Sequence, residues 1–201
     1  MSEPSPREGL QQRVAAAILD AAAEVLAARG DQASMLEVAA AAGVARATVY
    51  RYFPSRQALL DELARLALSD AATRLAASRI TEVPPEEGIR RAVRSLVEVG
   101  NHLIVVARER VRPRAEDFEA SVASPLRGLM ERAIEAGVVR SDVPSAWLVE
   151  TLVGSVVSVL SSPVVLGRED TIAAVTSMYL DGARAGSHNT GVSLSKEDGD
   201  G

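Results

Sequence analysis

The sequence has no cysteine, a single lysine, two histidines and six aromatic residues. Without thiols there is no disulfide framework, thiolate metal site or thiol nucleophile, and His102 and His188 alone do not make an imidazole metal cluster. No cofactor or metal is expected. No apolar run approaches the ~18 residues of a membrane span, and the opening MSEPSPRE has no apolar stretch behind a basic end of the kind that marks a signal peptide. The expectation is a soluble, cytoplasmic protein without a membrane partner. A Gly-rich phosphate loop, a nucleophile elbow and metal-ligand spacing are also missing. An enzyme is therefore not expected.

What is present is concentrated. The 201 residues suffice to bury a sizeable core, and the net charge of -5 argues against indiscriminate coating of nucleic acid. Three of the six aromatics, Tyr50, Tyr52 and Phe53, fall within four positions. No acid intervenes between Glu37 and Asp61, whereas Arg46, Arg51 and Arg56 do, so this window carries +3. The excess of arginine over lysine and the abundance of alanine fit a high-GC coding sequence and point to no function.

Residues 1 to 7 read as a loose arm and residues 187 to 201 as a disordered, Ser/Gly/Asp-rich tail. Between them, Leu10, Val14, Ala17, Ile18, Ala21 and Val25 recur at helical spacing and predict a first helix ended by Gly30. Ser34-Met35-Leu36-Glu37 has the form of a capping box, opening a short second helix to about Ala42. Gly43 breaks it, a third helix spans about Arg46 to Phe53 and stops at Pro54, and Ser55 caps a long fourth helix carrying Leu59, Leu63 and Leu66. Further helices are predicted over 85–110, 115–136, 144–161 and 169–185. No stretch alternates with period two over a strand's length. The fold class is all-α, with a small N-terminal unit sharing the fourth helix with the rest.

Ala39, Gly43 and Val49 have the spacing of a helix-turn-helix: the small Ala lets the helices approach, Gly permits the turn and Val plugs the second helix into the core. Many αα-hairpins share that spacing. The outer face of the second helix adds to it, because Arg46, Ala47, Thr48, Tyr50, Arg51 and Tyr52 present cations, hydroxyls and phenols that can reach phosphates and base edges in a major groove. The competing reading is that the tyrosines are packing residues and the arginines merely solvated.

The stretch Ile18-Leu19-Asp20-Ala21-Ala22, then Gly30, then Glu37 through Leu60 (EVAAAAGVARATVYRYFPSRQALL) resembles the N-terminal domain of TetR-family transcriptional regulators. The resemblance covers about a quarter of the chain. It implies a helix-turn-helix DNA-binding domain over 8–55, joined by the long fourth helix to a helical effector-binding and dimerisation domain over 56–186. It also implies a homodimer, a palindromic double-stranded DNA operator and a small-molecule effector. Carried over residue by residue, Ser34 and Arg56 are expected on phosphates, Tyr50 and Tyr52 on phosphate or sugar, and Arg46, Thr48 and Arg51 on base edges, with Ala47 on the same face. Ala45 stands where a capping Ser is common, Ala47 where Gly is frequent and Arg56 where Lys is usual; the missing cap costs the third helix about 1 kcal/mol.

The resemblance makes the last two helices the dimer seam, with Leu152, Val156, Val159, Ile172, Val175 and Tyr179 as its apolar contacts; the alternative is an ordinary intrachain core. Within helix 144–161 the opposite stripe is Trp147, Thr151, Gly154 and Ser158. The polar face of helix 85–110 would ordinarily meet solvent, but the resemblance implies that this helix lines an effector cavity, with Glu98, Asn101, His102 and Val105 supplying its polar and apolar contacts and Phe118 and Trp147 its large walls. For His102 a structural hydrogen bond or plain exposure is the competing role, and for Phe118 and Trp147 a place in the core. With so few aromatics, the cavity should be walled by Leu, Val and Ala and suit an aliphatic or alicyclic molecule that releases the DNA. A DNA-bound adaptor that holds a partner protein instead is the alternative function.

Overall fold

The computed structural model describes residues 6–111, 113–162 and 166–184. The expected tail over 187–201 lies outside the described residues, as do residues 1–5 of the arm; the first helix starts earlier than the arm allowed, at Pro6. Helix α1 (Pro6–Arg29) is followed by a turn of 3-10 helix, α2 (Met35–Ala41), α3 (Arg46–Tyr52) and the long α4 (Arg56–Ala77). Then come α5 (Pro85–Val97), α6 (Asn101–Arg108), the single turn α7 (Ala115–Phe118), α8 (Ser124–Glu135), α9 (Ser145–Ser161) and α10 (Arg168–Ala183). A π-helical turn, Glu119–Ala123, joins α7 to α8, and the β pairing among the described residues is an isolated bridge between Val139 and Arg184.

Two apolar cores organise these helices. The N-terminal core gathers Ile18, Leu19, Ala22 and Leu26 of α1, Val38 and Ala39 of α2, Val49 of α3 and Phe53. Leu59, Leu60 and Leu63 from the start of α4 complete it, together with Val105 from α6. From Ala64 onward the buried face of α4 belongs to the second core, with α5, α8, α9 and α10. One helix therefore carries both cores, and the change falls between two neighbouring residues. Of the stripe expected on α1, Ile18 and Ala21 are buried and Val14 and Val25 pack against the core, whereas Leu10 and Ala17 are exposed; Leu19, Ala22, Ala23 and Leu26 widen the buried face.

The single helix expected over 85–110 is two. The break is at Gly100, whose φ of 70° lies in the left-handed region that an L side chain avoids. It redirects α6 away from the line of α5, so residues on either side no longer share a face. The last two helices appear within one or two residues of their expected bounds, but their apolar faces are already used. Leu152, Val156, Ile172, Val175 and Tyr179 are all buried inside the protomer, and Tyr179 donates its hydroxyl hydrogen to Leu148 O at 2.7 Å, tying α10 to α9. Burial pushes the Tyr179 phenol above its ordinary range. These five residues spend most of their surface inside the protomer, although Val175 and Tyr179 still form part of the floor of a groove on the outer side of α9 and α10. Of the expected seam, only Val159 is exposed.

Candidate nucleic-acid interface and cavity

The turn between α2 and α3 is built as the spacing predicts. Ala39 and Val49 are buried, Gly43 has φ 66°, and Val44 N donates to Ala39 O at 3.0 Å to close the turn. At the start of α2, Ser34 Oγ accepts from Glu37 N while Glu37 Oε2 accepts from Ser34 N at 2.8 Å and from Ser34 Oγ at 2.9 Å. These bonds from Ser34, with help from Arg29, hold the Glu37 carboxyl below its ordinary range. Ser55 Oγ accepts from Ala58 N at 3.0 Å and caps α4. Ala45, by contrast, leaves α3 without a side-chain cap.

On α3, Arg46, Ala47, Tyr50 and Arg51 are exposed, Thr48 and Tyr52 are half-buried, and Val49 points into the core. The Arg46 guanidinium lies 5.3 Å from the centre of the Tyr50 ring and donates to its hydroxyl at 3.4 Å. Arg51 lies 5.3 Å from the Tyr52 ring. A cation over an aromatic face gains about 0.5–1 kcal/mol at an exposed site. Each arginine is thereby steadied against the helix while most of its N–H groups stay available. Tyr52 packs against the N-terminal core, as the competing reading has it, and also carries an arginine on its ring.

Ser34 and Arg56 are otherwise engaged. The Ser34 hydroxyl hydrogen goes to Glu37, so a phosphate would have to compete for it. Arg56 turns inward: its guanidinium donates to Ala33 O, to Gly30 O at 3.2 Å and to both carboxylate oxygens of Glu109 at 2.9 Å. Arginine rather than lysine suits this place, because a planar fork can serve two carbonyls and a carboxylate at once. The +3 window thus presents two outward cations, Arg46 and Arg51. Next to Glu109, Arg108 donates to Ala27 O of α1 and to Ser161 O of α9 at 3.3 Å. The last turn of α6 therefore grips the N-terminal unit at two points. Neither Arg108 nor Glu109 is singled out by the sequence, where the one signal is the consecutive run of charges Arg108-Glu109-Arg110 at the end of an apolar helix.

A cavity of about 370 Å³ lies between α4, α5, α6 and α9. Ala67, Leu96, Leu103, Val106, Phe118 and Val156 represent its walls, which are apolar except for Arg110. Of the six residues expected there, Phe118 lines it. Glu98 is held by Arg74 at 3.4 Å and Arg94 at 3.5 Å, Asn101 is exposed, Val105 sits in the N-terminal core and Trp147 stands out from α9. His102 is half-buried, with its Nε2 atom unpartnered among the described residues. The cause is the break at Gly100, which turns Leu103, Val106 and Ala107 toward the cavity in place of the polar stripe. On the other side of α9, Trp147 (63% exposed), Val159 (43%) and Met178 (77%) border a shallow groove together with Gly154 and Gly182.

The family model of bacterial regulatory proteins, tetR family, matches residues 18–63. The HTH-type transcriptional repressor LfrR of Mycolicibacterium smegmatis is 36% identical over 149 residues, spanning 73% of this chain and 77% of that protein. The chain belongs to the TetR family. Its relatives by structure include the TetR-like regulator LfrR from Mycobacterium smegmatis in complex with proflavine, with a TM-score of 0.67, 26% identity and coverage of 85% and 96% of the two chains. A tetR-family protein from Rhodococcus RHA1 shares the fold, with a TM-score of 0.70 at 17% identity over 87% and 98% of the chains. The family match ends at Leu63, the last fully buried residue that α4 gives to the N-terminal core. As a TetR-family regulator the protein works by binding DNA, not by catalysis. Among the described residues, no helix is long and apolar enough to cross a membrane.

Proposed function

We propose that this TetR-family protein is a homodimeric repressor that leaves a palindromic operator when an apolar small molecule fills the cavity. The observation that carries this reading is the position of α6. Leu103, Val106 and Ala107 wall the cavity, while the following Arg108 and Glu109 hold Ala27 and Arg56 of the N-terminal unit. A molecule that displaces α6 moves the grip on the DNA-binding helices with it. On DNA, Arg46, Thr48 and Arg51 read base edges, Tyr50 and Tyr52 meet the sugar-phosphate backbone, and Ala47 leaves room for close approach. Ser34 adds a phosphate contact only if it gives up its bond to Glu37, and Arg56 serves coupling. The effector-binding and dimerisation half begins where the core changes on α4, after Leu63 rather than at residue 56.

The dimer forms through the outward faces of α9 and α10, where Trp147, Val159 and Met178 flank Gly154 and Gly182. A twofold interface meets its own copy, so an apolar strip with small residues at its centre is self-complementary. The LfrR relative was crystallised with proflavine. The cavity here has no carboxylate among its lining residues to receive such a planar cation and suits an aliphatic body instead.

The test begins by selecting bound fragments from random duplex DNA, where a palindrome is expected. An effector found by thermal-shift screening is then titrated with and without that duplex. Linkage requires the operator to weaken effector binding by the factor by which the effector weakens operator binding, typically about 5- to 150-fold. Equal effector affinity in the two titrations removes the release mechanism.

A further inference from the structure

Among the described residues lining the cavity one is charged, and its placement narrows the chemistry of the effector, given the effector reading above. Every described residue lining the cavity is apolar except Arg110. Arg110 is also solvent-exposed, so it stands at the mouth rather than in the depth. Its backbone has φ 53°, in the left-handed region that a residue with a Cβ rarely adopts, and this turns the chain from the end of α6 across the opening. The two residues before it are committed, Arg108 to backbone carbonyls and Glu109 to Arg56. The Arg110 backbone N–H donates to Ala107 O at 3.3 Å, but among the described residues its guanidinium has neither a hydrogen bond nor an ion pair, and no acid among them lines the cavity to compensate it.

We infer that the effector is an amphiphile with an aliphatic body in the cavity and a carboxylate head at its mouth, paired with the Arg110 guanidinium. The planar fork of an arginine matches the two oxygens of a carboxylate, and such charge-assisted pairs are roughly twice as strong as neutral hydrogen bonds. A cationic head meets the reverse: like charge at the mouth and an apolar interior that cannot solvate it. A cavity of about 370 Å³ lies near the small end of ligand sites, which suits a single aliphatic chain. The head also lands on the residue next to Glu109. Drawing Arg110 toward a carboxylate pulls on the turn that grips Arg56, so the same contact that selects the acid acts where the two halves of the protein are joined.

The experiment is calorimetric titration of the full chain at neutral pH with decanoate, decanol and decylamine. Decanoate is expected to bind at least about tenfold more tightly than decanol, and decylamine more weakly than either. Arg110→Gln should bring decanoate to the level of decanol while leaving decanol unchanged, which also shows that the variant is folded; Arg110→Lys should restore part of the difference. Decylamine equal to decanoate, or Arg110→Gln without effect on decanoate, overturns the assignment. If all three bind equally and Val153→Phe, which fills the cavity, weakens all three, the head-group inference fails and the cavity reading stands. If none binds the wild type, both fail.

Discussion

Arg46 and Arg51 are the two outward cations of α3, and each is seated on a tyrosine ring. Arg46→Ala and Arg51→Ala should each weaken operator binding, by about 1–3 kcal/mol for an arginine that reads a base. Fluorescence anisotropy on the selected duplex at fixed salt measures this; two variants with wild-type affinity would move the recognition face elsewhere. Salt dependence separates the roles, since losing a phosphate contact flattens the slope of log affinity against log salt by about 0.9. Glu37 behaves differently. Its folded carboxyl titrates below the unfolded one, so its stabilising effect is complete above the unfolded value and drains away as pH falls through the folded value. Glu37→Gln should therefore flatten the acid side of the stability-pH curve, and Ser34→Ala should lower stability by about 1 kcal/mol at neutral pH. Denaturant unfolding over a pH series reads both; an acid limb identical to wild type in Glu37→Gln would show that the capping box contributes nothing there.

At the scale of the helix, α6 is the element through which the proposed coupling runs. Glu109→Gln removes the charge that Arg56 faces at 2.9 Å. Hydrogen bonds to charged groups contribute about 1.5–3 kcal/mol when removal leaves the partner unsatisfied, and the part-exposed Arg56 puts this pair at the lower end. The variant should keep its affinity for effector but show a smaller effect of effector on DNA binding. An unchanged coupling factor would place the transmission elsewhere.

This helix also shows why part of the site was hidden from sequence. Helix-turn-helix spacing, capping box and turn glycine are local: a few adjacent residues decide them, and Ser34, Ala39, Gly43 and Val49 were legible for that reason. The cavity is set by a break. Periodicity runs through Gly100 as though the helix continued, so Glu98, Asn101 and His102 read as one polar stripe facing a pocket, and the left-handed φ that dissolves the stripe has no signal beyond a glycine among apolar residues. Arg56 was misplaced for a related reason. Its partner Glu109 is far away in sequence, and no local pattern announces a contact of that range.

For the whole molecule, α9 is apolar on two sides, which the sequence exposes plainly; which side faces its own chain is decided by α5, α8 and α10, and those contacts are not written in α9. The broad arc of Leu148, Leu152 and Val156 goes inward, so Val156→Asp should unfold the domain rather than split a dimer, because an unpaired carboxylate would be buried in the protomer's core. Met178→Asp and Gly154→Arg sit outside that core. They should yield a helical monomer, detected by sedimentation velocity with unchanged circular dichroism, and operator affinity should fall because paired recognition helices need to be held about 34–36 Å apart, or a multiple of it. A dimer that survives both substitutions would move the seam off this face.

The N-terminal core closes with Leu59, Leu60 and Leu63 from α4 and with Val105 from α6. A reading head cut at residue 55 and grafted onto another regulator would arrive with its apolar underside open. A graft ending at Leu63 keeps the leucines yet still lacks the valine that enters from the far half, along with the Glu109 that Arg56 faces. Exchange of DNA specificity between such regulators therefore succeeds with the smallest edit, the outward face of α3 alone, or with a transplant that brings Val105 and Glu109 along. A chimera joined at residue 55 that proved as stable as its parents would show that the acceptor supplies its own valine and carboxylate at those two places.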